Sequence, residues 1–369
     1  MPASDSKAST PVTTKPPLPA ARESSPSVRP TSTAHEPQQA PSGAETTTIE
    51  TDAIPYDDSV SDAGYETDGV SQATTSISSS VRDYSFENSR RYHKFQEGRY
   101  QFPNDEPEQE REDMKHAMIV HLCDGKLHFA PLESPQRILD VGTGTGIWAV
   151  DMGDEYPEAD VLGIDLSPIQ PQWVPPNVRF IVDDAEAEWV YPPDSLDYVH
   201  IRHMASSIRD WPTLLSRAYH ALEPGAWIEL QEICFEMKCD DETLRTDNQV
   251  AGFFENVKKG LAAFNVDLLA MRHNKQKLIE AGFVNVWERV FKVPLGVWPK
   301  DPRMKTIGLY NRSMIHDALQ GVSIKPFTHG LKWSPEEIEV YLIGVRKDLM
   351  DSSQHAYIPF HVVTGQKPG

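Results

Sequence analysis

From Arg137 onward, short apolar runs alternate with amphipathic ones. RILDVG predicts a strand, and GIWAVDMGDEYP predicts a helix closed by a proline. ADVLGIDLS follows as a second strand. VRFIVDDA is a third, after the proline-rich connection PIQPQWVPPN, and LDYVHIRH is a fourth. DWPTLLSRAYHALEPG predicts a helix with Asp210 as its N-cap, Pro212 in its first turn and a Pro-Gly stop. AWIELQEI is a fifth strand. Strands that alternate with helices predict an α/β, mostly parallel sheet with helices on both faces. Beyond Cys239 the spacing turns helical, in TDNQVAGFFENVKKGLAAFN and KQKLIEAGF. FVNVWERVFKVPLG and YIPFHVVTGQKP predict two late strands, an antiparallel pair at the sheet edge.

Composition divides the chain. Residues 1–80 hold two aromatics, Tyr56 and Tyr65, and 4 basic against 11 acidic residues. This Ser, Thr and Pro-rich stretch has too little apolar surface to offset the entropy of ordering it, and is expected to be a disordered acidic tail. The other 289 residues carry −13 of the net charge of −20. Direct nucleic-acid binding is not expected of so acidic a chain, because phosphate contacts need clustered Lys and Arg. No apolar run reaches the roughly 18 residues of a membrane span. The beginning of the chain reads as neither a signal peptide nor a presequence. Cys123, Cys234 and Cys239 form neither a disulfide framework nor a zinc pattern, so no metal is expected and an intracellular location, cytoplasmic or nuclear, is.

The chemistry is concentrated at the strand ends. Gly142, Gly144 and Gly146 follow the first strand, where open parallel sheets bind their ligands. The spacing Gly144, Gly146, Ala149 also satisfies the dinucleotide fingerprint. The surrounding charges point elsewhere. Asp140 lies two residues before the first glycine and would repel a pyrophosphate in a poorly screened site. Asp165 closes the second strand, placed for both hydroxyls of a ribose. Asp183 and Asp184 close the third, with Ala185 beside them as a flat wall for a base. No Lys or Arg stands among the glycines. The set suits a cationic nucleoside, S-adenosylmethionine, with Thr143 and Leu166 in the same two loops. An NAD-dependent oxidoreductase is the weaker reading.

The pattern hD-x-G-x-G-x-G followed by an acid resembles the class I methyltransferases, a Rossmann-like fold. RRYHKFQEGRY, GTGTGIWAVD, IDLSPIQP, DDAEAEW, DYVHIRHMASSIRDWP, LEPGAWIELQE and CDDETL resemble, more closely, the fungal LaeA-like methyltransferases, over residues 84–369. The resemblance implies S-adenosylmethionine as cofactor and a place in fungal secondary metabolism. Some members are regulators with velvet-domain partners; others methylate a natural product. A scaffold that binds the cofactor with little turnover is the alternative. Residues 81–135 would then be a helical lid segment, and 136–369 the methyltransferase domain with a helical cap around 240–350. The methyl acceptor has no signature in the sequence. By comparison with other methyltransferase families, the absence of Asn-Pro-Pro-Tyr argues against amide or adenine methylation. The absence of paired glutamates argues against arginine.

His203 is the candidate base and Glu232 a candidate contact to the acceptor. His200 reads as structural, and Arg202 as either an anion ligand or an ion-pair partner. Tyr92, within RRYHKF, is expected to cover the methionine end of the cofactor. Trp298, Tyr310 and Trp333 are expected to form an apolar acceptor pocket. Trp189 is expected beside the adenine, and Met204 and Met314 in the core rather than as methylation targets.

Overall fold

The computed structural model describes residues 48–52, 84–88, 90–96 and 98–369. The chain opens with a hairpin of β1 (Tyr84–Glu87) and β2 (Arg90–His93), then α1 (Glu106–Leu122). The sheet begins with β3 (Arg137–Val141), α2 (Ile147–Glu155), β4 (Asp160–Asp165), β5 (Val178–Val182) and β6 (Leu196–Arg202). It continues through α3 (Trp211–Ala221), β7 (Leu222–Ile233) and the short β8 (Lys238–Cys239). The remaining elements are α4 (Gln249–Ala262), α5 (Asn274–Glu280), β9 (Val284–Pro294), α6 (Pro302–Lys325), α7 (Pro335–Leu349) and β10 (Ala356–Gln366).

The sheet runs in the order β5-β4-β3-β6-β7-β10, with β9 on the far side of β10. The first five strands are parallel, and β10 enters antiparallel between β7 and β9. Strand order reverses at β3 and β6, which leaves a crevice at their carboxyl ends. Successive side chains of a strand point to opposite faces. Leu139, Val141, Val199 and Ile201 therefore pack on α3, while Ile138 and Tyr198 pack on Trp148 and Met152 of α2. Both faces are covered by helices, as the alternating pattern predicts. Asp210 caps α3 by accepting from the Thr213 N–H at 3.1 Å, with Pro212 in the first turn. This is the expected start.

A third apolar cluster holds α1, α4, α6 and α7 against β9 and β10. In α4 the buried residues are Val250, Phe253, Phe254, Val257 and Leu261, one stripe at helical spacing. The region around 240–350 holds α4 to α7 together with the strand β9, and the described part of 81–135 holds the hairpin and α1. Most of the tail expected to be disordered lies outside the described residues. Within it, Glu50–Asp52 lie along the loop before α6: the Asp52 N–H donates to the Trp298 carbonyl at 2.8 Å, and the Lys300 N–H to the Glu50 carbonyl at 2.7 Å. No described helix is long and apolar enough to cross a membrane.

Candidate active site

A cavity of about 240 Å³ runs along the carboxyl edge of the sheet. The strand order spreads its wall out in sequence: Asp183, Asp184 and Ala185 after β5, Asp165 and Leu166 where β4 ends, Asp140 near the end of β3 and Gly142 to Thr145 after it. Arg202 to Ile208 follow at β6, and Glu232 at β7. α1 and the segment before it roof the polar part; α4 and α6 wall off the rest.

The glycine turn is held from both sides. Gly142, Gly144 and Gly146 have φ of +72°, +57° and +83°, a region where a side chain is strained. A Cβ on Gly142 would collide with the Met204 thioether, whereas one on Gly144 would meet no atom within 4 Å. Gly144 thus presents bare backbone. Gly146 does not line the cavity; the Phe180 ring occupies the place its Cβ would need. It shapes the turn into α2 and packs, rather than meeting the ligand as expected.

Asp165 accepts the N–H of Gly144 and of Ser167, each at 2.9 Å, on different oxygens. Each oxygen keeps a further lone pair, so the side chain can still accept two hydroxyls. Burial, opposed by these two N–H groups, raises its pKa to about 6. Asp183 and Asp184 cap their own turn through the backbone N–H groups of Asp184 and Glu186. Trp189 lies outside the cavity wall and donates to the Ala185 carbonyl at 2.9 Å. It braces the wall from behind.

Asp140 is buried, and its oxygens take the Thr143 hydroxyl at 2.6 Å and His200 Nδ1 at 2.8 Å. The His200 ring stacks on Trp148 with centroids 3.6 Å apart. Asp140 thereby ties the glycine turn to β6.

The basic groups in the wall are engaged. Arg99 pairs with Glu186 at 2.9 Å, Arg111 with Glu108 and Glu112, Lys115 with Glu112 at 2.5 Å. Arg202 donates to His116 Nδ1 at 2.9 Å, and His116 Nε2 meets Asp151 at 2.8 Å. Arg202 always donates, so Nδ1 is the acceptor and Nε2 carries the proton toward Asp151. Burial alone would raise the pKa of Glu112; Arg111 and Lys115 override it and hold the group at about 2. The donor set fits a cationic nucleoside and offers no uncommitted cation to a pyrophosphate.

His203 stands where β6 ends, in a left-handed conformation at φ +57°. Burial drives its pKa well below the usual value, so the imidazole is neutral, and its Nε2 has no partner among the described residues. Strain of this kind in a non-glycine residue concentrates at functional sites. Glu232 Oε1 accepts the N–H of Met204 at 2.6 Å and of Ala205 at 3.0 Å, on the turn that carries His203. Burial raises its pKa to about 8 against the pull of those two donors.

Two further expectations are corrected. Tyr92 is buried under Lys325, 3.6 Å from its ring centre, and does not line the cavity; its neighbour His93 does. Trp298, Tyr310 and Trp333 line no part of it. Trp298 donates to the Ala356 carbonyl, Tyr310 is on the outer side of α6, and Trp333 packs edge-on against Phe327. The apolar wall is instead Phe253 and Phe254 of α4 with Met314, Ile315, Ala318 and Val322 of α6. Met314 is thus part of the cavity wall. Sequence reasoning did not single out Glu112, Lys115, His116 or the α6 residues other than Met314. The α6 stripe was visible as helical spacing; the polar first turns of α1 carried no such signal.

Residues 114–278 match the family described as "Methyltransferase domain". The chain is 42% identical to Methyltransferase pytC of Aspergillus terreus over 298 residues, 80% of this chain and 91% of that one. It is 38% identical to the Secondary metabolism regulator LAE1 of Cochliobolus heterostrophus, covering 76% and 94% of the two chains. Protein-methionine methyltransferase laeA of Emericella nidulans is 34% identical, with 76% of each chain covered.

Proposed function

This chain belongs to the LaeA-like methyltransferases of fungal secondary metabolism, whose methyl donor is S-adenosylmethionine, and from that premise we propose that its acceptor is a small, largely apolar molecule. The observation that carries this is the continuity of the cavity. Its polar end, at β3 to β5, runs past His203 into a wall of buried aromatic and aliphatic side chains on α4 and α6. A protein side chain reaching in from a large partner would need an open groove; a wall this buried suits a ligand that enters whole.

Asp165 is the residue for the ribose hydroxyls, Asp183 and Asp184 for the adenine edge with Ala185 against its face, and Gly144 and Thr143 for close backbone approach. When bound, S-adenosylmethionine supplies a methyl group already activated by its sulfonium, so the protein contributes chiefly position and exclusion of water. His203 is the base for an acceptor with a proton to lose: its imidazole is neutral, and it follows the strand at which the polar and apolar parts meet. Glu232 holds the turn that sets it. The likeness to proteins named as secondary metabolism regulators is what supports the regulatory reading.

The test has two stages. Calorimetric titration with S-adenosylmethionine, S-adenosylhomocysteine and NAD is expected to give binding for the first two only, lost in Asp165→Ala. Methyl-labelled donor, incubated with protein and a fungal extract, is then expected to place label in the organic-soluble fraction. Label recovered on protein instead would overturn the small-molecule acceptor.

A further inference from the structure

The cavity face of α6 carries Asn311, Met314, Ile315, Ala318 and Val322, positions three, four, seven and eleven residues on from the first. These share one side of a helix, and only Asn311 among them is polar. Asn311 is 1% exposed, and its Nδ2 donates to the Pro294 carbonyl at 2.8 Å. A carbonyl can only accept, so the amide must turn its NH₂ toward Pro294, and its oxygen lies on the opposite side. Asn311 lines the cavity, so the oxygen that Pro294 does not engage is the group this residue has for a ligand. Its neighbours on this face are all apolar, so the amide is the one hydrogen-bonding side chain that α6 gives the cavity wall.

We propose that Asn311 Oδ1 selects the methyl acceptor by receiving a hydrogen bond from an N–H or O–H group at the end of the molecule away from the methylated atom. The inference rests on the small-molecule reading above and narrows it. The acceptor is flat enough to lie against Phe253 and Phe254, apolar along its length, and bears a donor at its far end. A site that holds a hydrogen-bonding atom for a ligand discriminates strongly against an analogue lacking the group, because the buried protein atom is left unpaired.

The probes are indole and 1-methylindole, of which only the first bears a hydrogen-bond donor, titrated into protein saturated with S-adenosylhomocysteine. The first is expected to bind about ten- to hundredfold more tightly, the range of one buried hydrogen bond. Asn311→Leu should abolish the preference while leaving S-adenosylhomocysteine affinity unchanged. Asn311→Asp should keep it, since it retains an oxygen toward the cavity. Both variants lose the bond to Pro294, so a purely structural role would make them behave alike. If Asn311→Leu fails to fold, Asn311→Ala is read in its place. Equal binding of the two probes, a preference that survives in the Leu variant, or no binding of either probe would each overturn the proposal. Failure to bind S-adenosylhomocysteine would instead strike at the donor site, a result distinct from all of these.

Discussion

At the end of the cavity proposed for the methyl donor the wall is backbone and carboxylate. Three strand ends supply Asp140, Asp165 and the pair Asp183–Asp184, all within a few residues of a strand's last hydrogen bond. At the end proposed for the acceptor the wall is side-chain surface, brought from α4 and α6, which follow the last of those acids by at least 69 residues (Asp184 to Phe253). The first is rigid because the parallel ladder fixes where each strand stops, so few residues are needed and each is held by N–H groups. The second is a packed apolar surface whose shape follows from helix packing, and single changes alter its fit rather than its existence. A methyltransferase can keep one donor site while its acceptor preference is rebuilt in the cap.

That contrast can be broken at either end. Asp165→Ala should have the largest effect, about a hundredfold or more in S-adenosylmethionine affinity, since two hydrogen bonds to a charged group are lost at roughly 1.5–3 kcal/mol each. Calorimetry should show it, with the melting temperature read alongside because the N–H groups of Gly144 and Ser167 lose their acceptor. Gly142→Ala should destabilise by about 1–3 kcal/mol, from positive φ and collision with Met204. Adding Met204→Ala should restore part of the melting temperature. If the double variant melts no higher than the single one, backbone strain is the whole effect.

Glu232 sharpens the comparison through pH. Its folded pKa of about 8 lies above the usual 4.5, so the folded chain holds a proton that the unfolded chain releases. The associated stability is therefore complete below about pH 4.5 and lost as pH rises through about pH 8. Relative to Glu232→Gln, the wild type should lose at least about 1.4 kcal/mol across that window, the value of a single pKa unit. Parallel melting curves for the two would show that the acid is solvated. Phe254→Ala should raise the acceptor KM about tenfold, one buried contact of about 1.4 kcal/mol, with donor affinity untouched. The smallest effect belongs to Arg99→Ala. Its pair with Glu186 is one-third exposed on the arginine side, so a change of about 0.2–1 kcal/mol is expected in donor binding.

The α6 stripe and the hairpin show where sequence reasoning stopped. RRYHKF announced a segment over the site, yet neighbouring residues of a strand face opposite ways. Tyr92 went under Lys325 and His93 to the cavity, an outcome that local pattern leaves open because both are amphipathic rings. Trp298, Tyr310 and Trp333 were credible as a pocket by composition; which face of α6 met the cavity depended on its packing against α1 and β9. Glu112 and Lys115 had no signal at all, since buried ion pairs and solvated ones read alike in a polar helix.

The sequence by itself determined the parallel sheet, the glycine turn and the acids at the strand ends. Those features are local: a period of two, a turn that needs positive φ, and a carboxylate next to the last ladder bond. Only the tertiary structure decided that Asp140 would tie the turn to His200, that Gly146 would serve Phe180, and that α6 would meet the cavity with Asn311 in its wall. Each of these depends on two segments far apart in the chain arriving at one place, and the free energy that brings them there is spread over the whole core.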